Sequence, residues 1–263
     1  MKKAPYLLAL LTASTAAFAN DSEEQLQDMS DPLAVYTQAG IGVTDQGINL
    51  KYGATYKTGI ESQMGMNIFE VKGIAGEQIG WSGSNSRNDS IDSIRFRNFE
   101  VDLTNGRGSQ IDFNYATATN ALASEVGTVS YSMIQALPAL GPVNFFPLAG
   151  AGFAFGNNLP ATQGYTIPGT LGVVGMYSKI TVTDKIWLNY NPMYMATLSG
   201  ADWFKDSFFE GDDSVLTHEF TASYQINPRF NVRYFANWSE NTDFSDGNHR
   251  VEFNYQSNSI RKA

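Results

Sequence analysis

Stretches of about ten residues in which apolar and polar side chains alternate recur along this chain. In the stretch 48–56, Ile48, Leu50 and Tyr52 fall on one face, whereas Asn49 and Lys51 fall on the other. Because successive side chains of a β-strand point to opposite sides of the sheet, this pattern predicts strands with one apolar and one polar face.

The connections between these stretches favour a closed barrel over a soluble sandwich. Twelve stretches can be counted, at 33–43, 46–57, 62–74, 91–104, 108–118, 124–136, 142–155, 167–181, 185–197, 214–226, 229–239 and 248–257. The long connections, at 75–90, 156–166, 198–213 and 240–247, all fall on one side, although two others on that side are short. Bacterial membrane barrels have short periplasmic turns and longer outer loops. We therefore predict an all-β fold, a transmembrane antiparallel up-and-down β-barrel of about 12 strands.

The composition agrees with strands that face lipid on one side. Charged residues make up 16% of the chain and aromatic residues 13%, whereas a soluble domain usually carries about 25% charged residues. Beyond the first 19 residues, no continuous apolar run is long enough to cross a bilayer as a helix.

The first residues predict export. Lys2 and Lys3 precede a short apolar run at 6–11, and a small-x-small cleavage site ends at Ala19. We expect a signal peptide at 1–19, an acidic periplasmic lead-in without a strand at 20–32, the barrel at 33–257 and a short tail at 258–263. A plug inside the lumen is the alternative for the lead-in. The predicted location is the outer membrane.

From about residue 33 onward, the chain resembles the Gram-negative outer-membrane β-barrel, porin-like class. Its members end on a strand with alternating aromatic residues that the barrel-assembly machinery reads, and Val251, Phe253 and Tyr255 fit this signal. The chain departs from the class by continuing from Gln256 to Ala263. The resemblance implies outer-membrane lipid, lipopolysaccharide and the assembly machinery as partners, but an architecture does not identify a function.

Charge and cysteine content exclude several function classes. Without Lys2 and Lys3, 15 basic residues face 26 acidic ones, which gives a net charge near -11 and argues against nucleic-acid binding. The chain has no cysteine, so it has no thiolate chemistry or disulfide framework. We find no metal or nucleotide motif and predict no cofactor.

Strand parity predicts which charged side chains enter the lumen. The predicted lumen charges are Lys51, Glu70, Lys72, Arg95, Arg97, Glu100, Asp102, Asp112, Glu219, Arg233, Arg250 and Glu252. This assignment requires a β-bulge in the third and the fourth strand, where the apolar residues change parity after Ile68 and after Phe96. Balanced charges of this kind either line a weakly selective pore for small hydrophilic solutes or fill the barrel with salt bridges.

The outer loops carry the other polar candidates. One loop contains the acidic cluster Asp202, Asp206, Glu210, Asp212 and Asp213. Its spacing fits no calcium motif, so we interpret it as solvated, with a divalent ion that bridges to lipopolysaccharide as an alternative. For the aromatic residues beside it, Trp203, Phe204, Phe208 and Phe209, we expect anchoring at the membrane surface. Insertion into the barrel mouth and sugar binding are the alternatives.

Only His218 and His249 are available for acid–base chemistry, and both fall on the outward face. Some outer-membrane hydrolases use a lipid-facing His-Ser dyad, but neither Ser214 nor Ser239 is marked as a nucleophile. We therefore predict that the protein is not an enzyme and rank an envelope-lipid hydrolase last. A porin-like passive channel ranks first, and a non-conducting structural or receptor barrel ranks second.

Overall fold

The computed structural model describes residues 26–79, 91–117 and 123–257, so the predicted signal peptide and tail lie outside the described residues. Thirteen strand segments pair in antiparallel order. They are β1 (Gln38–Thr44), β2 (Gly47–Lys57), β3 (Gln63–Ile74), β4 (Ser93–Asp102), β5 (Arg107–Ala116), β6 (Glu125–Gln135), β7 (Val143–Asn157), β8 (Tyr165–Thr181), β9 (Ile186–Tyr190), β10 (Met193–Gly200), β11 (Ser214–Asn227), β12 (Phe230–Ser239) and β13 (Asn248–Gln256).

The sheet closes on itself as a 12-strand barrel. β1 pairs with β13 from Gln38↔Gln256 to Thr44↔Arg250, which joins the two ends of the barrel sequence. β9 and β10 both lie between β8 and β11, and together they form the ninth barrel strand. The predicted strand at 185–197 is therefore confirmed, with an interruption at 191–192, where Pro192 has no N–H to donate to a ladder.

The alternation of side chains follows the sequence pattern. On β2, Leu50 and Tyr52 are 46% and 58% exposed on the outer face, whereas Asn49 on the inner face is 8% exposed. The predicted barrel is confirmed, and β2 shows the predicted alternation of an apolar outer face and a polar inner face.

The two ends of the barrel differ. We call the end with short connections the turn end and the opposite one the loop end. At the turn end, the Asn227 carboxamide oxygen accepts hydrogen bonds from the Arg229 and Phe230 N–H groups and fixes a tight turn. The loop end carries three short helices, α1 (Gly76–Ile79), α2 (Asp202–Ser207) and a 3-10 turn (Phe244–Asp246). In the described ranges, no helix is long and apolar enough to cross a membrane.

The predicted bulges in β3 and β4 are wrong at the positions chosen. The two strands pair without interruption from Gln63↔Asp102 to Lys72↔Ser93. Parity therefore continues through both strands, and apolar residues that we expected to face lipid point inward. The register instead shifts opposite Asn49, where β3 has one extra residue at 72–73, and near Gly156, where β8 has one extra residue at 167–168.

The N-terminal segment, residues 26–36, explains the inward apolar residues. The predicted first strand, 33–43, begins only at Gln38, and the described residues before it run along the inner wall. Val35 is 4% exposed and packs with Met66, Ile68 and Val101. These wall residues face inward because the segment, and not lipid, covers them. The described part of the predicted lead-in, residues 26–32, thus lies inside the barrel and lines its cavity.

The aromatic residues of α2 and the turn after it also fold inward, so the prediction of membrane anchoring is wrong for them. Phe204 is fully buried, and Phe208 and Phe209 are 8% and 9% exposed. They pack against Leu171 and Val173 on the inner face of β8, and Trp203 lies against the same cluster. This apolar cluster fills the β6–β8 side of the lumen and leaves the remaining side open.

The assignment of inner and outer faces can be tested by placing an arginine on either face of β5, in two separate variants. Ile111 is 41% exposed on the outer face, and Asn114 falls on the inner face opposite Arg95. We expect Ile111→Arg to lower the free energy of unfolding by about 2–4 kcal/mol, because it places a charge in lipid. Asn114→Arg should cost clearly less. Denaturant titration in lipid vesicles measures both, and equal losses would contradict the assignment.

Candidate functional site: the charged lumen

Ten of the predicted lumen charges lie on the inner side of the barrel. Eight of these line the central cavity, and two more join them through ion pairs. They are Lys51, Glu70, Lys72, Arg95, Arg97, Glu219, Arg233 and Arg250, with Asp112 and Glu252. Strand parity therefore predicts the inward direction of these charges correctly, apart from two residues on β4.

Glu100 and Asp102 lie on the outer face of β4, contrary to the prediction. They share parity with Phe96 and alternate with the inward-facing Phe99 and Val101. The Glu100 carboxylate accepts a hydrogen bond from the Tyr56 hydroxyl at 3.0 Å. Asp102 accepts from the Thr104 N–H at 2.9 Å and stabilises the β4–β5 turn. The cause of the error was the assumption that every apolar residue must face lipid.

Because Glu100 and Asp102 face outward, the lumen contains two fewer carboxylates than predicted. The inward set then has six basic side chains, Lys51, Lys72, Arg95, Arg97, Arg233 and Arg250, and four acidic ones, Glu70, Asp112, Glu219 and Glu252. The middle of the lumen therefore carries a positive excess, in a chain whose net charge is negative.

An ion pair bridges the strands at which the barrel closes. The Lys51 ammonium on β2 reaches across β1 to the Glu252 carboxylate on β13 at 2.5 Å, and Arg250 Nε lies 3.2 Å from the same carboxylate. The path crosses Gly40, where an added Cβ would lie 3.0 Å from Lys51 Cε and 2.8 Å from Asn254 Oδ1. A larger residue there would obstruct the contact.

A second network lies on β3, β4 and β5. Arg97 donates to Glu70 at 2.8 Å, and Arg95 forms a two-point ion pair with Asp112. Lys72 is the most loosely paired cation of this network, because its Nζ lies 3.6 Å from Glu70 Oε2, beyond hydrogen-bond distance. Its side chain is 28% exposed, so its charge acts on the cavity.

Arg233 differs from the other inward cations in its contacts. Its guanidinium donates to the Met29 carbonyl of the N-terminal segment at 2.5 Å and lies over the Trp187 ring at 5.5 Å. The carbonyl oxygen and the ring both stabilise the positive charge of Arg233, but neither is an anion that would neutralise it.

These side chains surround a cavity of about 780 Å³. One wall, from β13 through β4, carries five of the six cations. The other, from β9 through β12, carries Arg233 and Glu219 among amide and hydroxyl groups. Sequence reasoning missed these amide and hydroxyl groups, although the same parity rule could have found them: Asn189, Asn191, Thr217, Thr221, Asn237 and Ser239. The N-terminal segment forms the floor, and the arrangement can hold water and small polar solutes.

The acidic loop cluster is dispersed. Asp202 forms an ion pair with Lys205 at 2.8 Å, which lowers the pKa of the Asp202 carboxyl, and Asp213 accepts from the Ser214 hydroxyl at 2.9 Å. Glu210 turns toward the cavity and contacts the Ser239 hydroxyl at 3.4 Å. Within the part of the chain that is described, no three acidic or histidine side chains lie close enough to hold a metal ion.

The histidines lie among aromatic residues on the outer face. The hydroxyl of Tyr190 lies 2.8 Å from His218 Nδ1, and that of Tyr234 lies 2.7 Å from His249 Nδ1. His218 also stacks on Trp238. The partners seen for the candidate nucleophiles Ser214 and Ser239 are acidic and threonine side chains, so the geometry favours an aromatic belt over a hydrolytic dyad.

The closing ion pair can be tested against a second inward glutamate. We expect Glu252→Gln to cost about 3–5 kcal/mol of stability, because it leaves Lys51 and Arg250 buried without their shared anion. Glu219→Gln is the control, since Glu219 accepts a hydrogen bond from the neutral Asn191 amide. Denaturant titration of the refolded variants gives both values. A loss for Glu252→Gln no larger than for the control would contradict the role of the pair.

No protein-family description and no curated protein matches the chain. Among solved structures, a NanC porin is similar with a TM-score of 0.50 and 6% identity, over 85% of this chain and 100% of the other. The KdgM porin in complex with disordered oligogalacturonate gives 0.47 and 10%, over 85% and 99%. The translocator domain of autotransporter NalP from Neisseria meningitidis gives 0.45 and 14%, over 84% and 86%. The likeness to the NanC porin shows that the chain has the porin-like barrel fold of outer-membrane proteins.

Proposed function

We propose that this protein is a passive outer-membrane channel for small hydrophilic solutes. The observation that carries the proposal is the cavity of about 780 Å³, lined by charged, amide and hydroxyl groups inside a barrel with an apolar exterior. A barrel that served only as a membrane anchor could fill its interior with side chains. Here, the apolar cluster fills one side, and a polar space remains on the other.

The charge distribution supports a weak preference for anions. The six inward cations exceed the four inward carboxylates at the middle of the lumen. Asp31 of the N-terminal segment also lines the cavity, and Asp92, Glu210 and Asp246 line it at the loop end. In a confined space with low-dielectric walls, unbalanced charge raises the local concentration of the opposite ion. Acidic groups at the mouth oppose this effect, so the preference should be modest.

Lys72 allows a test of the channel and its selectivity together. We expect the refolded protein to conduct in planar bilayers and to show a small anion preference in a potassium chloride gradient. Lys72→Met should shift the reversal potential toward cation preference, because it removes a partly exposed cation whose ion pair is loose, while the Arg97–Glu70 contact remains.

Lys57→Met is the matched control for this measurement, since Lys57 is exposed at the end of β2, near the turn end. It should leave the reversal potential unchanged. A parent protein that passes no current at any voltage or salt concentration would refute the channel. Equal shifts for the two variants would refute the role of the lumen charge.

The location belongs to the same proposal. An apolar exterior with aromatic residues around its rim suits the bilayer and its lipopolysaccharide leaflet, with the turn end toward the periplasm. We expect the mature protein to begin at Asn20, to fractionate with outer membranes and to migrate differently on a gel after heating. Recovery in the soluble periplasmic fraction would contradict this location.

A structural or receptor barrel is the second candidate function. The N-terminal segment supports it, because six of its residues line the cavity and occupy part of the lumen. Such a barrel would bind a ligand from the loop end and transmit nothing. Absence of conductance in a correctly folded protein is the result that would favour it. An envelope-lipid hydrolase stays last, because the histidines contact tyrosines and not serines.

A further inference from the structure

We propose that residues 26–36 are a releasable plug, bound to a docking surface on the inner wall, that closes the turn end of the pore. The proposal rests on the channel function proposed above. The occupant of the docking surface is this segment of the same chain.

The apolar half of the docking surface lies on β3 to β6. Leu33 and Val35 pack against inward side chains of these strands, which are Met66, Ile68, Phe99, Val101 and Ile134. A cavity between the segment and this wall has a volume of about 10 Å³, about the room for one water molecule. Val35 is 4% exposed there, so the segment is packed closely onto the wall.

The polar half lies across the barrel, on β8, β12 and β13. Asp28 forms an ion pair with Lys179 at 2.9 Å, and the Met29 carbonyl accepts from Arg233 at 2.5 Å. The Gln27 backbone exchanges two hydrogen bonds with the Gln256 carboxamide, at 3.2 and 3.0 Å. Because the apolar and polar contacts lie on opposite sides of the barrel, the segment spans the lumen.

The positions of the contacting residues along their strands show at which end of the barrel the segment lies. Val101 and Lys179 are among the last residues of strands that run to the turn end, and Met66 is near the start of a strand that leaves it. Gln256 ends β13 at the same level. The segment thus crosses the pore at the turn end and leaves the cavity open toward the loops.

The polar contacts make the segment releasable. Burial alone raises the pKa of the Asp28 carboxyl, but hydrogen bonds from Ser30 and the ion pair with Lys179 bring the pKa below its ordinary value. The Asp28 side chain is nevertheless 61% exposed, although that of Lys179 is 16% exposed. Water screens such a pair on one side, so it contributes about 1 kcal/mol or less to stability. The segment belongs to no strand, so its departure breaks no ladder of the barrel.

The first test measures undocking without relying on conductance. The chain has no cysteine, so Val35→Cys introduces a single thiol at a buried docking position. We expect slow labelling by a hydrophilic maleimide in vesicles, and a several-fold faster rate when Lys179→Met is added. Lys185→Met, at an exposed lysine of the adjacent turn, should have no effect. Two results would overturn the plug. In one, the Val35→Cys thiol of the otherwise unchanged protein reacts as fast as an exposed cysteine. In the other, adding Lys179→Met and adding Lys185→Met give equal labelling rates.

The second test measures closure. Deleting residues 26–34 from the full chain should raise single-channel conductance several-fold, and a synthetic peptide of residues 26–36 should block the enlarged pore from the turn end. If the deletion variant does not fold, Asp28→Asn with Lys179→Met replaces it and should raise the frequency of open events. Conductance that equals the parent's in a folded variant would overturn the plug.

The two tests separate the plug from the channel. If neither the parent nor the deletion variant conducts while Lys179→Met still accelerates labelling, the channel is refuted and the docked segment stands. If both conduct equally and labelling does not respond to Lys179→Met, the plug is refuted and the channel stands.

Discussion

The requirement that every backbone N–H and C=O in lipid has a hydrogen-bond partner governs this structure. An open sheet would leave two unpaired edges in the membrane, so the only stable solution for strands is a closed barrel. Closure joins β1 to β13 and fixes the register of the whole sheet. With the register fixed, every second side chain is committed to the interior, where polar groups must pair with one another or with water.

The interior is divided unequally as a result. The aromatic residues of α2 and the turn that follows fill the side of β6 to β8, and the N-terminal segment packs on the inner wall of β3 and β4. Both pieces come from outside the barrel strands, and both bring apolar side chains to inner-wall positions. The cations of β2 to β4 and β13 therefore face a narrower space than a 12-strand barrel would otherwise enclose, which strengthens their effect on any solute.

The strands were predictable from the sequence because lipid on one side and water on the other impose a period of two. The parity of Lys51, Arg95 and Glu252 followed from the same rule. The errors at Glu100 and Asp102 arose because Phe99 and Val101 were assigned to lipid. The sequence of β4 does not indicate that the N-terminal segment, residues 26–36, covers apolar side chains of this strand inside the lumen. Phe204 was misplaced for the same reason, since a loop residue has no periodicity to indicate its direction.

The contact between Lys51 and Glu252 joins residues 201 positions apart. Pairing of sequence-distant strands carries a large loop-closure entropy and slows folding, whereas the hairpins between neighbouring strands form locally. We therefore expect the β1–β13 seam to be the last part of the barrel to assemble. Until then the two edge strands are open to pairing with other chains. A chain of this topology consequently depends on the speed of its final closure to escape aggregation during biogenesis.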